Sequence, residues 1–305
     1  MDKEKRDHGG YCLMIAPLKH GVLQLEVQQK GGKSYISSLR QRMPLRASAP
    51  LYSNDQGAAF FFIMNPAAGL LQGDQHSISV RVKRDAQAVV FGQGATKVFR
   101  SPQGDLSRQF TTLIVEQGAR LEYMPEVVIP FAEACLYSRT NLWISSQASA
   151  FFWEITAPGR VARQELFKYN LLDQQTQIFL DRELISCDRF RLEPQKAPPF
   201  SHTWKSPLGP MHGYTHYGTF WAIDQHLPWV MSELLQRRTE DEDGFLEQIT
   251  ERYKILIAGT EINRQTYCLR ALGHSAESIQ EGFKEIWKIL RLRLFNEPEW
   301  PWRKF

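Results

Sequence analysis

The nine residues LYSRTNLWI, Leu136 to Ile144, decide how the chain is read. Alternate side chains of a strand share a face, so Leu136, Ser138, Thr140, Leu142 and Ile144 fall together, while Arg139, Asn141 and the following Ser145 point the opposite way. One face is core and the other is wet. Similar runs extend outward from about residue 20 to 220, each closed by Gly, Pro, Asn or Asp at intervals of roughly ten residues. Val22 to Val27, Phe60 to Met64 and Ser77 to Val82 are examples. The pattern predicts many short antiparallel strands. Gln117-Gly118-Ala119, between Phe110 to Glu116 and Leu121 to Met124, predicts a hairpin. No internal repeat is visible.

Helical signals come late. Pro228 opens a segment that runs to Arg238, Phe245 to Tyr253 is a second, and Ser275 caps a third. In the third, Ile279, Phe283, Ile286, Trp287, Leu290 and Leu294 recur at helical spacing, with Glu281, Lys284, Glu285 and Lys288 between them. Tyr253 to Ala258 and Gln265 to Leu272 flank a turn at Gly259 to Asn263, which predicts a hairpin before the last helix. The fold class is therefore mainly β, a large β-rich scaffold of many short antiparallel strands with a small C-terminal α/β portion. We expect one domain over 1–305, β-rich across 20–225 and helical with a hairpin across 226–305. The proline-rich Pro194 to Pro210 is the only stretch that resembles a linker.

The 305 residues include 37 Lys plus Arg against 33 Asp plus Glu, a net charge of +4, and that balance argues against a charge-driven partner. With 18 Phe, 10 Tyr and 8 Trp the composition suits strands, on which flat rings pack well. No apolar run approaches the roughly 18 residues needed to span a bilayer. The first residues, MDKEKRDHGG, mix acids with bases and read poorly as a signal peptide, so a cytoplasmic protein is expected. Cys12, Cys135, Cys187 and Cys268 lie far apart without a CxxC pair, so reduced, buried thiols are expected.

Catalytic motifs are missing. GQGATK, Gly92 to Lys97, has glycines and a lysine for a phosphate, but Thr96, Val98 and Phe99 continue as strand instead of opening a helix, so it reads as a strand–turn–strand corner. No GxSxG elbow exists, and Ser275 of Gly273-His274-Ser275 is already a helix cap. His212 and His216 would share a strand face at roughly 13 Å, too far for one ion, and read as surface or groove histidines. Carboxylates stand out more: Asp74, Glu122, Glu126, Glu154 within FFWEI, Glu165 and Asp188. A carboxylate in an apolar strand costs several kcal/mol unless paired or solvated. Glu154 is thus outward-facing, which is the ordinary case, or paired with an arginine, or lining a wet cavity.

The ordered segments NPAAGLLQGD (65–74), GATKVFRS (94–101), LEYMPEVVIPF (121–131), WEITAPGRVARQELF (153–167) and LRALG (269–273) resemble the UreD family of urease accessory proteins, also called UreH. The resemblance covers most of the chain and is best from about 44 to 170. It implies a non-catalytic β-rich scaffold for urease maturation that docks apo-urease, binds UreF and through it recruits the GTPase UreG. Nickel delivery follows, and for this family a route through the protein interior has been proposed. No tightly bound cofactor is implied, only transient Ni2+. Asp74 matches the family's Gly-Asp position, Glu154 the acid after Trp, and Glu165 the Glu after the Gly-Arg turn, while Asp188 falls near a further acidic position. These four are the candidate nickel-route acids. Ala68 and Gln164 stand where the family usually has glycine.

Two other classes stay open. A β-fold enzyme would use Glu154 or Glu165 as general acid or base. A nucleic-acid binder would use Lys284, Lys288, Arg291, Arg293, Arg303 and Lys304, but Glu281, Glu285, Glu297 and Glu299 dilute that charge. The aromatic C-terminus, Trp300, Trp302 and Phe305, offers either a docking surface or a packed tail.

Overall fold

The computed structural model describes residues 20–52, 57–67, 69–196, 211–235 and 244–297. Outside them lie Cys12, Ala68, most of the proline-rich stretch, and the terminal residues from 298 on, with Glu299, Trp300, Trp302, Arg303, Lys304 and Phe305.

The first strands are β1 (His20–Lys30), β2 (Lys33–Arg42), β3 (Arg46–Ala47), β4 (Ala59–Met64), β5 (Gly69–Leu70), β6 (Gln75–Val82), β7 (Gln87–Gly92), β8 (Thr96–Val98) and β9 (Ser107–Val115). After them come β10 (Arg120–Met124), β11 (Val128–Pro130), β12 (Cys135–Ile144), β13 (Ser149–Thr156), β14 (Leu171–Leu180), β15 (Glu183–Leu192) and β16 (His216–Ile223). Helices α1 (Leu227–Leu235) and α2 (Phe245–Tyr253), strands β17 (Leu256–Asn263) and β18 (Thr266–Gly273), and helix α3 (Ala276–Phe295) complete the order. They build two sheets. The first runs β15-β14-β12-β9-β6-β1-β2, and the second has the main path β17-β18-β16-β13-β10-β7-β4-β3, with β5, β8 and β11 beside it.

The mainly β reading and the small C-terminal helical portion hold, but the pairing differs from expectation. Through the middle of both sheets the strands are parallel: β6 pairs β9, β9 pairs β12 and β12 pairs β14, while β4, β7, β10 and β13 do the same in the second sheet. Antiparallel pairing is found toward the ends of the sheets, as in β1 with β2, β14 with β15, and β13 with β16. The reason lies in the turns. After β6, β9 and β12 the chain does not fold back on its own strand but crosses to the opposite sheet, so the expected hairpin at Gln117 to Ala119 instead joins β9 of the first sheet to β10 of the second.

These crossings stack as successive coils. Lys83 to Ala86, Glu116 to Ala119 and Ser145 to Ala148 each close with an N–H to C=O bond of 3.0, 3.0 and 2.9 Å. The Asp85 N–H donates to the Gln117 carbonyl at 3.2 Å, and the Gly118 N–H to the Gln147 carbonyl at 3.0 Å. Ala86, Ala119 and Ala148 occupy the same buried place in each coil, four residues after Val82, Val115 and Ile144. The chain therefore does contain a repeat, in the form aliphatic-x-x-x-Ala. It escapes notice because only two positions per coil are constrained. Gly118 has φ of 70°, and a Cβ there would sit 2.1 Å from Asp85 Oδ1. Gly118→Ala is expected to cost about 1–2 kcal/mol, seen as a lower melting temperature with unchanged circular dichroism.

Three helices lie where the sequence places them, the expected end of the first at Arg238 falling outside the described residues. The Ser275 side chain accepts from the Ser278 N–H, and α3 buries Ile279, Phe283, Ile286, Trp287 and Leu290 on the outer face of the second sheet. Gly218 on β16 permits the approach, since a Cβ there would lie 2.8 Å from Ile279 Cγ2. The late hairpin exists, but its turn is at Arg264 and Gln265, beyond the expected Gly259 to Asn263. Among the described residues no helix is long and apolar enough to cross a membrane. Cys135 and Cys268 are buried as expected, whereas Cys187 is exposed on β15. Arg291 does not belong to a basic face, because it is fully buried against Glu122.

Candidate functional site: a polar band between the sheets

Between the sheets the packing is layered along the strands. One apolar cluster holds Val80, Leu113, Leu142 and Ile178 of the first sheet together with Val90, Leu121, Phe152 and Trp221 of the second. A separate apolar cluster contains Leu136, Leu172 and Leu192. Between them runs a polar band. In register across the first sheet stand His76, Gln109, Ser138 and Gln174, and beside that row Thr111, Thr140, Thr176 and Asp188. The second sheet answers with Glu154, Thr219 and Arg270, also in register.

The band encloses space. An outer chamber of about 410 Å3 is lined by His76, Gln109, Tyr123, Glu126 and the Gly92 to Lys97 segment, and also by Leu45, Met64 and Asn65. A narrow inner chamber of about 30 Å3, lined by Ser138, Thr140, Glu154 and Gln174, shares Thr96, Gln109, Tyr123, Pro125 and Glu126 with the outer one. That volume accommodates water. The GQGATK segment is the strand–turn–strand corner expected of it, β7 to β8, and it also walls the outer chamber.

Glu154 is not outward-facing. The alternation of β13 puts it on the side of Phe152, in the gap between the sheets, where Thr140 Oγ1 and Thr176 Oγ1 donate to its two oxygens at 2.7 and 2.6 Å. Burial raises its pKa above the usual carboxylate range, the two hydroxyls oppose that shift, and the Asp188 charge adds to it. Tyr123 in the same wall is pushed well above an ordinary phenol by burial and by Glu154. Asp188 accepts from Arg270 Nη2 at 2.8 Å. Burial works to lower the Arg270 pKa, but the hydrogen bond and charge of Asp188 hold it above its ordinary range.

The other two acids have local tasks. Asp74 is 6% exposed, and its carboxylate accepts from the Leu71 N–H at 2.9 Å, closing the turn before β6. It lies close enough to His76 for its charge to act on the ring. Glu165 is gripped by both Nε and Nη2 of Arg160, which holds its carboxyl below the usual range, and it lines neither chamber. Gln164 beside it has φ of 57°, the left-handed backbone for which glycine is suited, so the departure noted in the sequence falls where a side chain is strained. The structure thus brings Glu154 and Asp188 to one end of the band, places Asp74 near its His76 end, and sets Glu165 apart. Among the described residues no group of three or more His, Cys, Asp and Glu is placed to hold a metal ion. His212 lies on a turn and not on the strand that carries His216, and His216 is 5% exposed within β16, so for it the surface alternative of the surface-or-groove reading fails.

Sequence reasoning missed His76, Gln109, Thr111, Ser138, Thr140, Gln174 and Thr176. The signal was present in β12 and β14, where a polar pair interrupts an otherwise apolar face, whereas the inner face of β9 is polar from Ser107 through Gln109 to Thr111 before it turns apolar at Leu113.

The family profile described as UreD urease accessory protein matches residues 19–303. The chain belongs to this family. Its relatives include the urease accessory protein UreD of Bacillus cereus, 27% identical over 93% of this chain and 98% of that protein. The UreD of Halalkalibacterium halodurans is 30% identical over 74% and 80% of the two chains, and that of Staphylococcus saprophyticus is 27% identical over 85% and 88%. This UreD-family chain has a role in urease maturation.

Proposed function

We propose that this chain is a non-catalytic cytoplasmic scaffold that docks apo-urease together with UreF and the GTPase UreG, and that divalent nickel passes through its interior on the way to the urease active site. The polar band supports the reading. A protein that needed only a rigid double sheet would fill the gap with aliphatic side chains, because each buried hydroxyl or carboxylate must find a partner or lose about 1–3 kcal/mol. Here the hydroxyls of Thr111, Ser138 and Thr140 and the amides of Gln109 and Gln174 line the wall together with the carboxylates of Glu126 and Glu154, a donor set that replaces hydration water yet releases the ion. Asp74, Glu154 and Asp188 remain the acids assigned to the route, Glu154 and Asp188 at its inner end and Asp74 by way of His76. Glu165 is assigned to the loop that Arg160 closes.

Ser138→Leu tests the reading, since it plugs the inner chamber with an apolar side chain and leaves the outer surface intact. Urease activation in cells at limiting nickel is expected to fall by on the order of tenfold, while co-purification with urease, UreF and UreG is unchanged. Full activation by a plugged scaffold would remove the interior from the route.

A further inference from the structure

We propose that the outer face of the first sheet is a docking strip for an acidic segment of a partner protein, one that carries an aliphatic or aromatic anchor about six extended residues from its carboxylates. The inference rests on the scaffold reading and adds to it a face and a recognition chemistry. Opposite the polar band, the side chains of β9, β12, β14 and β15 lie in register on the outside of the sheet. Arg108 and Arg191 share one row at its end, and Arg139 and Arg189 share the next. Ile114, Trp143, Phe179 and Leu184 form a row at the other end, about 20 Å away. One end is basic and the other apolar.

In the basic rows these four strands supply one carboxylate, Asp173, which accepts from Arg189 at 2.8 and 2.6 Å and from Arg191 at 2.6 Å. Glu193, just past β15, is taken by Arg191 and Lys196. Arg108 donates to the Leu106 carbonyl at 3.2 Å and Arg139 to the Gln175 amide oxygen at 2.9 Å, so these two cations meet neutral oxygens. Incoming carboxylates are their complement. At the apolar end Trp143 is 36% and Leu184 52% exposed, and the indole lies flat on Phe179 at 3.8 Å, a rigid platform for a partner side chain. The charges beside it are already matched, Arg81 with Glu116 at 2.8 Å and Lys83 with Glu26 at 3.3 Å. A nucleic-acid strand is charged at every nucleotide and would need free cations along the whole strip. The strip measures roughly 20 by 15 Å, well under the area of about 800 Å2 that a standard interface takes from each partner, so it suits one segment. All three helices pack on the other sheet, and none of the described residues covers this one.

The test is capture of purified apo-urease, UreF and UreG, each alone, by the full-length chain as wild type, as the pair Arg108→Glu with Arg139→Glu, and as Trp143→Ser. Both variants are expected to weaken binding of the same partner by about tenfold or more at low salt, with unchanged circular dichroism, and Arg108→Lys with Arg139→Lys is expected to keep it. All three partners held at wild-type affinity by either folded variant, or a lysine pair as weak as the glutamate pair, overturns the strip and leaves the scaffold reading standing. Should the glutamate pair fail to fold, Trp143→Ser and salt decide: a partner that this variant loses and that high salt releases from the wild type supports the strip, and a partner indifferent to either overturns it. A wild type that binds none of the three removes the scaffold reading. A labelled peptide with glutamates at one end and leucine and phenylalanine about six residues away then decides the strip. Binding that the glutamate pair loses supports it, whereas no binding, or tighter binding of a single-stranded DNA of similar length, overturns it.

Discussion

Arg291→Met is expected to lower the free energy of unfolding by about 3–5 kcal/mol, the largest single loss we foresee in this chain. Arg291 and Glu122 are both 0% exposed, and Arg291 Nη1 donates to Glu122 Oε1. Trp287 Nε1 donates to the other carboxylate oxygen at 2.5 Å, and Arg120 Nε stands 3.3 Å from Oε1. Glu297 joins the cluster, accepting from Arg120 and Arg291 at 2.7 Å each. Methionine matches much of the arginine's length but leaves a buried carboxylate short of a cation. The cost of the single change is mostly that stranded charge, so the double variant Glu122→Leu, Arg291→Met should recover much of the loss. Guanidinium titrations of the wild type, both single variants and the double variant check this. Single variants within 1 kcal/mol of the wild type would mean that the cluster is solvated.

Glu154→Gln is expected to move stability and function in opposite directions. The folded carboxyl has a raised pKa, so between the unfolded value and the folded one the native chain holds a proton that the unfolded chain has released. Stability therefore falls as pH rises through that window and stays at its lower level above it. Glutamine carries no such penalty and keeps an acceptor and a donor for Thr140 and Thr176. At neutral pH the variant should melt higher than wild type, and the difference should vanish at pH values below the unfolded carboxyl range. Urease activation should fall by on the order of tenfold, because the amide no longer attracts a divalent cation. A residue kept for the fold alone would not behave so. Melting curves from acid to neutral pH, paired with activation at limiting nickel, settle the matter: no gain in melting temperature would show the carboxylate to be well solvated, and full activation would take Glu154 off the route.

The opening stretch shows what was legible. Leu136, Leu142 and Ile144 marked the core face correctly, and Ser138 and Thr140 were seen to share it. Their meaning was not visible in one strand. It came only when β9 and β14 were found in register on either side with polar pairs at the same level. Pairing direction was hidden for a related reason: a short turn that reverses the chain within a sheet and one that crosses between sheets have similar composition. At the true hairpin between β1 and β2, Gly31 and Gly32 both take positive φ, whereas the crossings need a small buried Ala. Of the three alternatives open for Glu154, the outward-facing one, ordinary for an isolated acid in a strand, fails and the wet-cavity one fits, because its solvent here is a cavity. Glu122 could not be paired from sequence, since Arg291 lies on the last helix.

The crossing turns bear on how the chain reaches this state. Because β6, β9, β12 and β14 are neighbours in one sheet, while β7, β10 and β13 are built between them in sequence, no coil closes until a long loop has been drawn in. Loop entropy must be overcome before parallel pairing repays it, which makes such topologies slow to form and leaves open strand edges in the meantime. Folding speed, more than final stability, then sets how much of this chain escapes aggregation during synthesis.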